Sequence, residues 1–337
     1  MNIAVFGYYN TLNEGDIRLQ YSITRLLRLE GHKVTFFSHS DPPPSTSYLR
    51  RFDWILIGGG GLVFKYHGIW VNMKTWLRRA DADIGVFGLG VNNLNPGNLR
   101  QEIDDLAGLS SFFFVRDQQS LDLVGSESVQ LGTDLTWMYP LSVDPSIDTR
   151  PGHIAVNLAH SFWKPYDAHE WGEQLRAYGA PVLPFPFYMT EDRDCGLLRE
   201  VLDMPVHNEF SDLPLRRAEI LVGARFHSLL FATMLRTPFV AIAYDRKIKR
   251  LCDAIGVSEF CLETDEVEKL PRTLDALKGQ YEEVGQRLDD YATRQTRKAE
   301  QMKETITTAI AESDRRRSPT LASKVRFQMR RLARYFQ

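Results

Sequence analysis

The sequence predicts an α/β protein: two doubly wound domains facing a cleft, followed by C-terminal helices. Three observations carry this. Short apolar runs alternate with amphipathic helical patterns up to about residue 131. The alternation stops at Asp144-Pro-Ser-Ile-Asp-Thr-Arg-Pro-Gly152, a polar break with two prolines, and then restarts. From about Asp265 the chain is charged and helical through Ser313. A length of 337 residues suits two domains at roughly 100–200 residues each.

Taken in order, Asn2–Phe6 reads as a strand that runs into a Gly/Asn-rich loop. A helix is expected from about Asp16 to Glu30, because Leu19, Ile23, Leu26 and Leu27 recur at helical spacing. Gly31 is placed as its stop. Lys33–Phe37 and Asp53–Ile57 are the next strands, the second ending in four glycines, Gly58 to Gly61. Ile84–Phe87, Phe112–Val115 and Val129–Leu131 follow. After the break, His153–Asn157, Pro181–Phe185, Ile220–Gly223 and Phe239–Ala243 are strands with helices between them. Such alternation implies parallel sheets covered on both faces. The expected division is 1–146, 147–264, C-terminal helices over 265–313 and a tail over 314–337.

Apolar residues make up 43% and charged residues 25% of the chain, which excludes global disorder. The net charge of −2 excludes a general nucleic-acid coat. It also hides an asymmetry, since residues 315–337 hold eight Lys/Arg and no acid while the rest is net −10. Three cysteines, Cys195, Cys252 and Cys261, form no disulfide framework, and no metal-ligand spacing occurs. A reducing, cytoplasmic setting is expected. The opening Met-Asn-Ile-Ala-Val-Phe-Gly lacks a basic leader segment. No run approaches the ~20 apolar residues of a membrane helix. Ile220 to Leu235 comes nearest and is broken by Arg225 and His227.

Ligands bind such sheets beyond the strand C-termini, which singles out four loops. Gly7 to Asp16 feeds a helix N-terminus, a place suited to an anion. It has no Gly-Lys-Ser/Thr and is therefore no Walker loop. Asp16 either caps that helix alone or also belongs to a site. Gly58, Gly59, Gly60 and Gly61 admit either a ligand or another backbone at close range. Gly88-Leu-Gly90 is a weaker version, and neither loop completes a dinucleotide fingerprint. Arg116 follows a buried strand, either reaching the cleft for a carboxylate or phosphate or pairing with Asp117. The fourth loop sets Arg225 and His227 in a strongly apolar strand–turn–helix, with Lys247 after the next strand. A buried cation needs a partner, so either an anion arrives there or an internal acid already waits.

Together these segments resemble the polysaccharide pyruvyltransferase family over roughly residues 1–256. The motifs are Asn13-Glu-Gly15-Asp16, Ile57-Gly-Gly-Gly-Gly-Leu62, Gly88-Leu-Gly90, Val115-Arg116-Asp117 with Ser120, Ile154-Ala-Val-Asn157, Gly223-Ala-Arg225-Phe-His227-Ser, and Pro238-Phe-Val through Ala243-Tyr-Asp245-Arg-Lys247. The resemblance implies a glycosyltransferase-B-like pair of Rossmann-like domains, acceptor side first and donor side second. It implies transfer of a pyruvyl group from phosphoenolpyruvate to two hydroxyls of a glycan or lipid-linked saccharide, as a cyclic ketal. Arg116, Arg225, His227 and Lys247 fall at the family's donor site. Asn13, Gly15, the four glycines and Tyr244 are assigned to substrate binding. Ile17 after Asp16 departs from the family's frequent acid, and Tyr8-Tyr9-Asn10 and Asn92-Asn93 are not family signatures.

The residue chemistry is compatible. A phosphate and a carboxylate call for cations, whose hydrogen bonds are charge-assisted. An imidazole can protonate the enol carbon near neutrality. His227 is therefore the expected general acid, Arg225 and Lys247 hold the donor anion, Arg116 joins from the first domain on closure, and Asp16 is a base or orienter for an acceptor hydroxyl. The expectation requires the three second-domain cations to converge without prior neutralisation by internal acids. No cofactor or metal is called for.

In the tail, Leu321, Val325, Met329, Leu332 and Phe336 share a helical face with Arg326, Arg330, Arg331 and Arg334 off it. That pattern suits either an anionic membrane surface or a solvated tail. Oligomerisation is left open. Two other functions fit the same architecture: a nucleotide-sugar glycosyltransferase, and a catalytically inactive glycan-assembly protein.

Overall fold

The computed structural model describes residues 1–9, 11–38, 44–62, 82–91, 99–147, 149–159 and 167–317. Its chain folds as two compact units, each an α/β layer structure. The first comprises Met1–Gly7, Thr24–Gly132 and the chain from Glu300; the second comprises Tyr8–Ile23 and Thr133–Ala299.

The first unit holds a six-stranded sheet: β1 (Asn2–Gly7), β2 (Lys33–Ser38), β3 (Trp54–Gly58), β4 (Asp83–Leu89), β5 (Phe112–Val115) and β6 (Gln130–Leu131). Their spatial order is β2-β1-β3-β4-β5-β6, and every pairing is parallel. Parallel strands covered on both faces read as continuous apolar runs, and Ile3–Phe6 and Trp54–Ile57 are fully buried. Trp54 stacks on Phe112 with ring centroids 5.8 Å apart. Helix α1 (Glu14–Leu29) ends at Gly31, whose φ of 78° is left-handed and whose N–H returns to the Arg28 carbonyl. A short α2 (Thr46–Leu49), α3 (Leu99–Leu109) and α4 (Gln118–Val124) accompany the sheet.

The second unit holds β7 (Arg150–Asn157), β8 (Val182–Pro184), β9 (Ala218–Gly223), β10 (Phe239–Ile242) and β11 (Cys261–Leu262) in the order β11-β10-β9-β7-β8, again all parallel. Its helices are α5 (Ala168–Tyr178), α6 (Asp194–Leu202), α7 (Leu213–Arg217), α8 (Phe226–Leu235), α9 (Arg246–Ile255), α10 (Leu270–Gly279) and the first part of α11 (Tyr281–Arg317). Helix α8 buries seven of its ten residues, from Ser228 to Met234. It is apolar all round because it is a core helix. The long apolar stretch around Arg225 is thus strand, turn and helix. Among the described residues no helix is long and apolar enough to cross a membrane.

The expected strands are present within a few residues of their observed ends. The fifth strand of the second sheet was not expected, since two residues carry no periodicity. The division of the chain also differs from the expected 146/147 boundary. The units part at Gly132/Thr133, and the polar break folds into a turn closed by Asp144, which accepts from Ser146 N and Oγ, before β7 begins at Arg150. Residues 265–313 form no separate body, because the 37-residue α11 runs through the division at Ala299/Glu300. The Tyr8–Ile23 segment belongs to the second unit, where Asn13 bridges Tyr188 and Glu14 N–H donates to the Phe187 carbonyl. The loop expected on the acceptor side is therefore part of the same unit as His227.

Candidate functional site

The second unit gathers most of the expected residues at the C-terminal edge of its sheet. Asn157 ends β7 and organises the turn after β9: its carbonyl accepts from Ala224 N, its Oδ1 from Arg225 N at 3.0 Å, and its Nδ2 donates to the Phe185 carbonyl. Arg225 stands at the N-cap of α8, with His227 one residue into the helix beyond Phe226. The neighbouring β10 runs parallel to β9 and delivers Tyr244, Asp245 and Lys247 to the same edge. Asp245 caps α9 by accepting from Lys247 N, and its other oxygen lies 3.6 Å from Lys247 Nζ. Lys247 Nζ also sits 5.8 Å from the centroid of the buried Tyr244 ring.

Asn13 caps α1, its Oδ1 accepting from Gly15 N at 2.8 Å. Asp16, expected as the cap, instead lies within the first turn, where Thr11 Oγ1 donates to it at 3.0 Å. Burial pushes the Asp16 carboxyl above its usual range, against the charge of His227, the Thr11 hydrogen bond, and the charges of Lys247 and Arg225. Asp16 is thus within electrostatic reach of all three expected cations. Tyr8, Tyr9 and Tyr188 feel its charge: burial raises each phenol first, and the Asp16 charge adds to that. Gly15 touches the His227 imidazole so closely that a Cβ there would lie 2.0 Å from Nδ1 and 2.5 Å from Cγ. On the other side of the ring, Nε2 lies 3.8 Å from Asp134 Oδ2.

Arg225 departs from the picture of a cation awaiting an external anion. Its Nε and Nη2 make a fork to Asp194 at 2.6 and 2.5 Å, and Asp194 is fully buried. Asp194 Oδ2 also accepts from Phe187 N and Tyr188 N, both at 3.1 Å. Burial opposes the guanidinium charge, but the charge and hydrogen bonds of Asp194 outweigh it and hold its pKa above the ordinary value. The Tyr188 ring lies 4.7 Å from Cζ of the guanidinium. The internal acid is the partner that the sequence left as one of two alternatives, and only Nη1 lies outside the fork.

The other expected residues lie in the first unit. Gly59 and Gly60 have φ of 79° and 78°, and Gly60 O accepts from Gly90 N at 2.9 Å. A Cβ on Gly58 would lie 2.8 Å from the Phe87 ring. Close approach of the Phe87 ring requires glycine at 58 and the left-handed backbone favours it at 59 and 60, while Gly61 is half-buried. Arg116 is buried with Nε 3.1 Å from Asp117 Oδ2, and its guanidinium packs on Gly90. Asp117 caps α4 by accepting from Ser120 N and Oγ, and Ser120 Oγ accepts from Val91 N. The paired alternative for Arg116 is the one observed. Asn10, Asn92, Asn93 and the tail from residue 318 lie outside the described residues.

Sequence reasoning missed Asp134, Asp194 and Tyr188. Asp134 carried a usable signal, as the lone acid in Leu131-Gly-Thr-Asp-Leu-Thr-Trp-Met. Asp194 carried none, because Glu191-Asp-Arg-Asp reads as a solvated surface run.

The sequence model of the polysaccharide pyruvyl transferase family matches residues 15–204 and 208–246. The chain belongs to this family. As a family member it is a transferase of the glycosyltransferase-B-like fold class. A search of curated proteins finds no match. Among solved structures, a protein described as a UDP-N-acetylglucosamine 2-epimerase from Listeria monocytogenes superposes with a TM-score of 0.62 at 10% identity, covering 93% of this chain and 98% of that one. The spinosyn rhamnosyltransferase SpnG gives 0.57 at 10% identity over 91% and 100% of the two chains. The lipopolysaccharide outer core galactosyltransferase WaaB gives 0.51 at 10% identity over 93% and 99%. At such identity these likenesses concern the fold alone.

Proposed function

We propose that this family member transfers a pyruvyl group from phosphoenolpyruvate to two hydroxyls of a glycan, forming a cyclic ketal and releasing phosphate. The observation that carries the reading is the packing of the His227 ring on Gly15 within one unit, beside an Asp16 that feels the charges of His227 and Lys247; Gly15, Asp16 and His227 lie inside the segments that match the family, and Lys247 one residue beyond them. His227 donates a proton to C3 of the enol while the first acceptor hydroxyl adds at C2, giving its proton to Asp16. The raised pKa of Asp16 makes it a better proton acceptor than an ordinary carboxylate. The second hydroxyl then displaces phosphate from C2, its proton leaving with the phosphate. Each hydroxyl proton is thereby accounted for, and the proton lost by His227 is matched by the one gained at Asp16.

Lys247 and the N-terminal ends of α8 and α9 supply positive potential for the donor. Arg225 acts chiefly by holding the turn, since Asp194 already answers its charge, and offers the donor Nη1. Arg116, Asn13, Tyr244 and the Gly58–Gly61 loop are proposed for substrate binding on the family resemblance. A lipid-linked acceptor at the cytoplasmic face, reached through residues 315–337, fits the same reading; liposome flotation with and without those residues tests it, and equal flotation rejects it.

The deciding experiment measures phosphate release and pyruvate incorporation with phosphoenolpyruvate and a panel of glycans. Wild-type turnover that falls at least 100-fold in His227→Gln supports the assignment, and unchanged product formation rejects it. Thermal stabilisation by a nucleotide sugar but not by phosphoenolpyruvate would favour a glycosyltransferase instead.

A further inference from the structure

The surroundings of His227 differ between its two ring nitrogens. Nε2 is enclosed and makes no hydrogen bond among the described residues, whereas Nδ1 lies against Gly15 at the start of α1. The acid facing Nε2 is Asp134, 3.8 Å away and 4% exposed. Asp134 cannot swing freely. Its Oδ1 caps the turn at Leu135–Met138, accepting from Thr136 N at 3.0 Å and from Thr136 Oγ1 at 2.9 Å, which leaves Oδ2 as the oxygen presented to the ring. The imidazole is also confined, because the Gly15 backbone runs along its Nδ1 edge, where a Cβ would lie 2.0 Å from Nδ1. A contraction of about 1 Å would bring the pair to hydrogen-bond length, and catalytic hydrogen bonds commonly lengthen in the absence of substrate.

We propose that Asp134 is the positioning residue for His227. Its anchored carboxylate accepts the Nε2 proton and selects that tautomer, which leaves Nδ1, on the edge beside Gly15, without a proton. The orienting group of a histidine general acid or base does this by holding one nitrogen and so defining the other. The pairing extends the reaction proposed above and rests on it for its catalytic meaning. The geometry of the ring does not depend on the reaction.

Two measurements keep these apart. Nitrogen-15 NMR of histidine-labelled full-length protein, with the signal assigned by its loss in His227→Gln, reads the tautomer directly. The wild type is expected to carry its proton on Nε2, and Asp134→Asn to shift that population towards Nδ1–H. A wild-type ring protonated on Nδ1 alone, or a tautomer unchanged in Asp134→Asn, overturns the pairing whether or not any reaction is detected. In the pyruvyl-transfer assay, Asp134→Asn is expected to lower kcat about 100-fold with KM for phosphoenolpyruvate within threefold. The same substitution in the His227→Gln background is expected to cost less than twofold more, because two residues acting through one group are not additive. A full additional loss in that background makes Asp134 merely structural. A wild type that transfers no pyruvyl group refutes the reaction and leaves the pairing to the NMR result.

Discussion

Replacing Gly15 by Ala tests how tightly the His227 ring is held. Gly15 does not have a positive φ, so Ala suits its backbone and the whole effect falls on the contact. The added Cβ would lie 2.0 Å from Nδ1, 2.5 Å from Cγ and 2.8 Å from Cε1 of His227. To reach an ordinary contact of 3.4 Å, the ring must retreat by about 1.4 Å. It cannot do so towards Asp134 without closing the 3.8 Å gap there. Overpacking of this size costs about 1–3 kcal/mol. A displacement near 1 Å in a catalytic group costs on the order of 100-fold in rate. Gly15→Ala is therefore expected to lower kcat about 100-fold and to reduce the urea midpoint, while KM for phosphoenolpyruvate changes little. Gly285→Ala is the control: it lies within α11 with nothing inside 4 Å of its Cβ position, and should stabilise the helix by about 0.5–1 kcal/mol without touching activity. A Gly15→Ala protein with kcat within twofold of wild type would refute the contact and the placement of His227 with it.

Three further outcomes follow from the described contacts. Asp194→Asn removes the charge of a fully buried carboxylate from its fork with the partly buried Arg225 and should cost about 3 kcal/mol in urea unfolding, as breaking a buried pair does; a loss under about 1 kcal/mol would contradict the pairing. Ser120→Ala strands the Val91 N–H that its hydroxyl accepts from and should cost about 1–3 kcal/mol, against near-neutrality if that bond is absent. Glu14 is pushed up to about 7 by burial, with Arg18 opposing and Asp212 adding to the rise. Its folded-state pKa lies above the ordinary 4.5, so its contribution is fully present below pH 4.5 and is lost as pH rises towards about 7. Glu14→Gln should therefore gain stability relative to wild type across that interval and hold the gain above it; parallel urea midpoints from pH 4.5 to 8 would count against the shift.

The strands were legible because parallel strands buried on both faces must be apolar runs, and Ile3–Phe6, Trp54–Ile57 and Ile220–Val222 are such runs. Arg225, His227 and Lys247 were legible because cations beside apolar strand ends need partners. The partners of Arg225 and His227 were not. Asp194 is 31 positions from Arg225 and Asp134 is 93 from His227. Nothing local marks one surface-like acid among Glu191, Asp192 and Asp194 as the buried one.

Composition, the order of apolar runs and the spacing of Arg225, His227 and Lys247 thus determined the α/β class, the strands and which cations to examine. Those are properties of short segments, set by burial and backbone periodicity. Tertiary structure alone decided that Arg225 is answered by Asp194, that Asn13 rather than Asp16 caps α1, and that the Tyr8–Ile23 segment joins the unit holding His227. Pairings between charges and the division of a chain into bodies depend on which distant segments meet, and that is settled by packing rather than by local sequence.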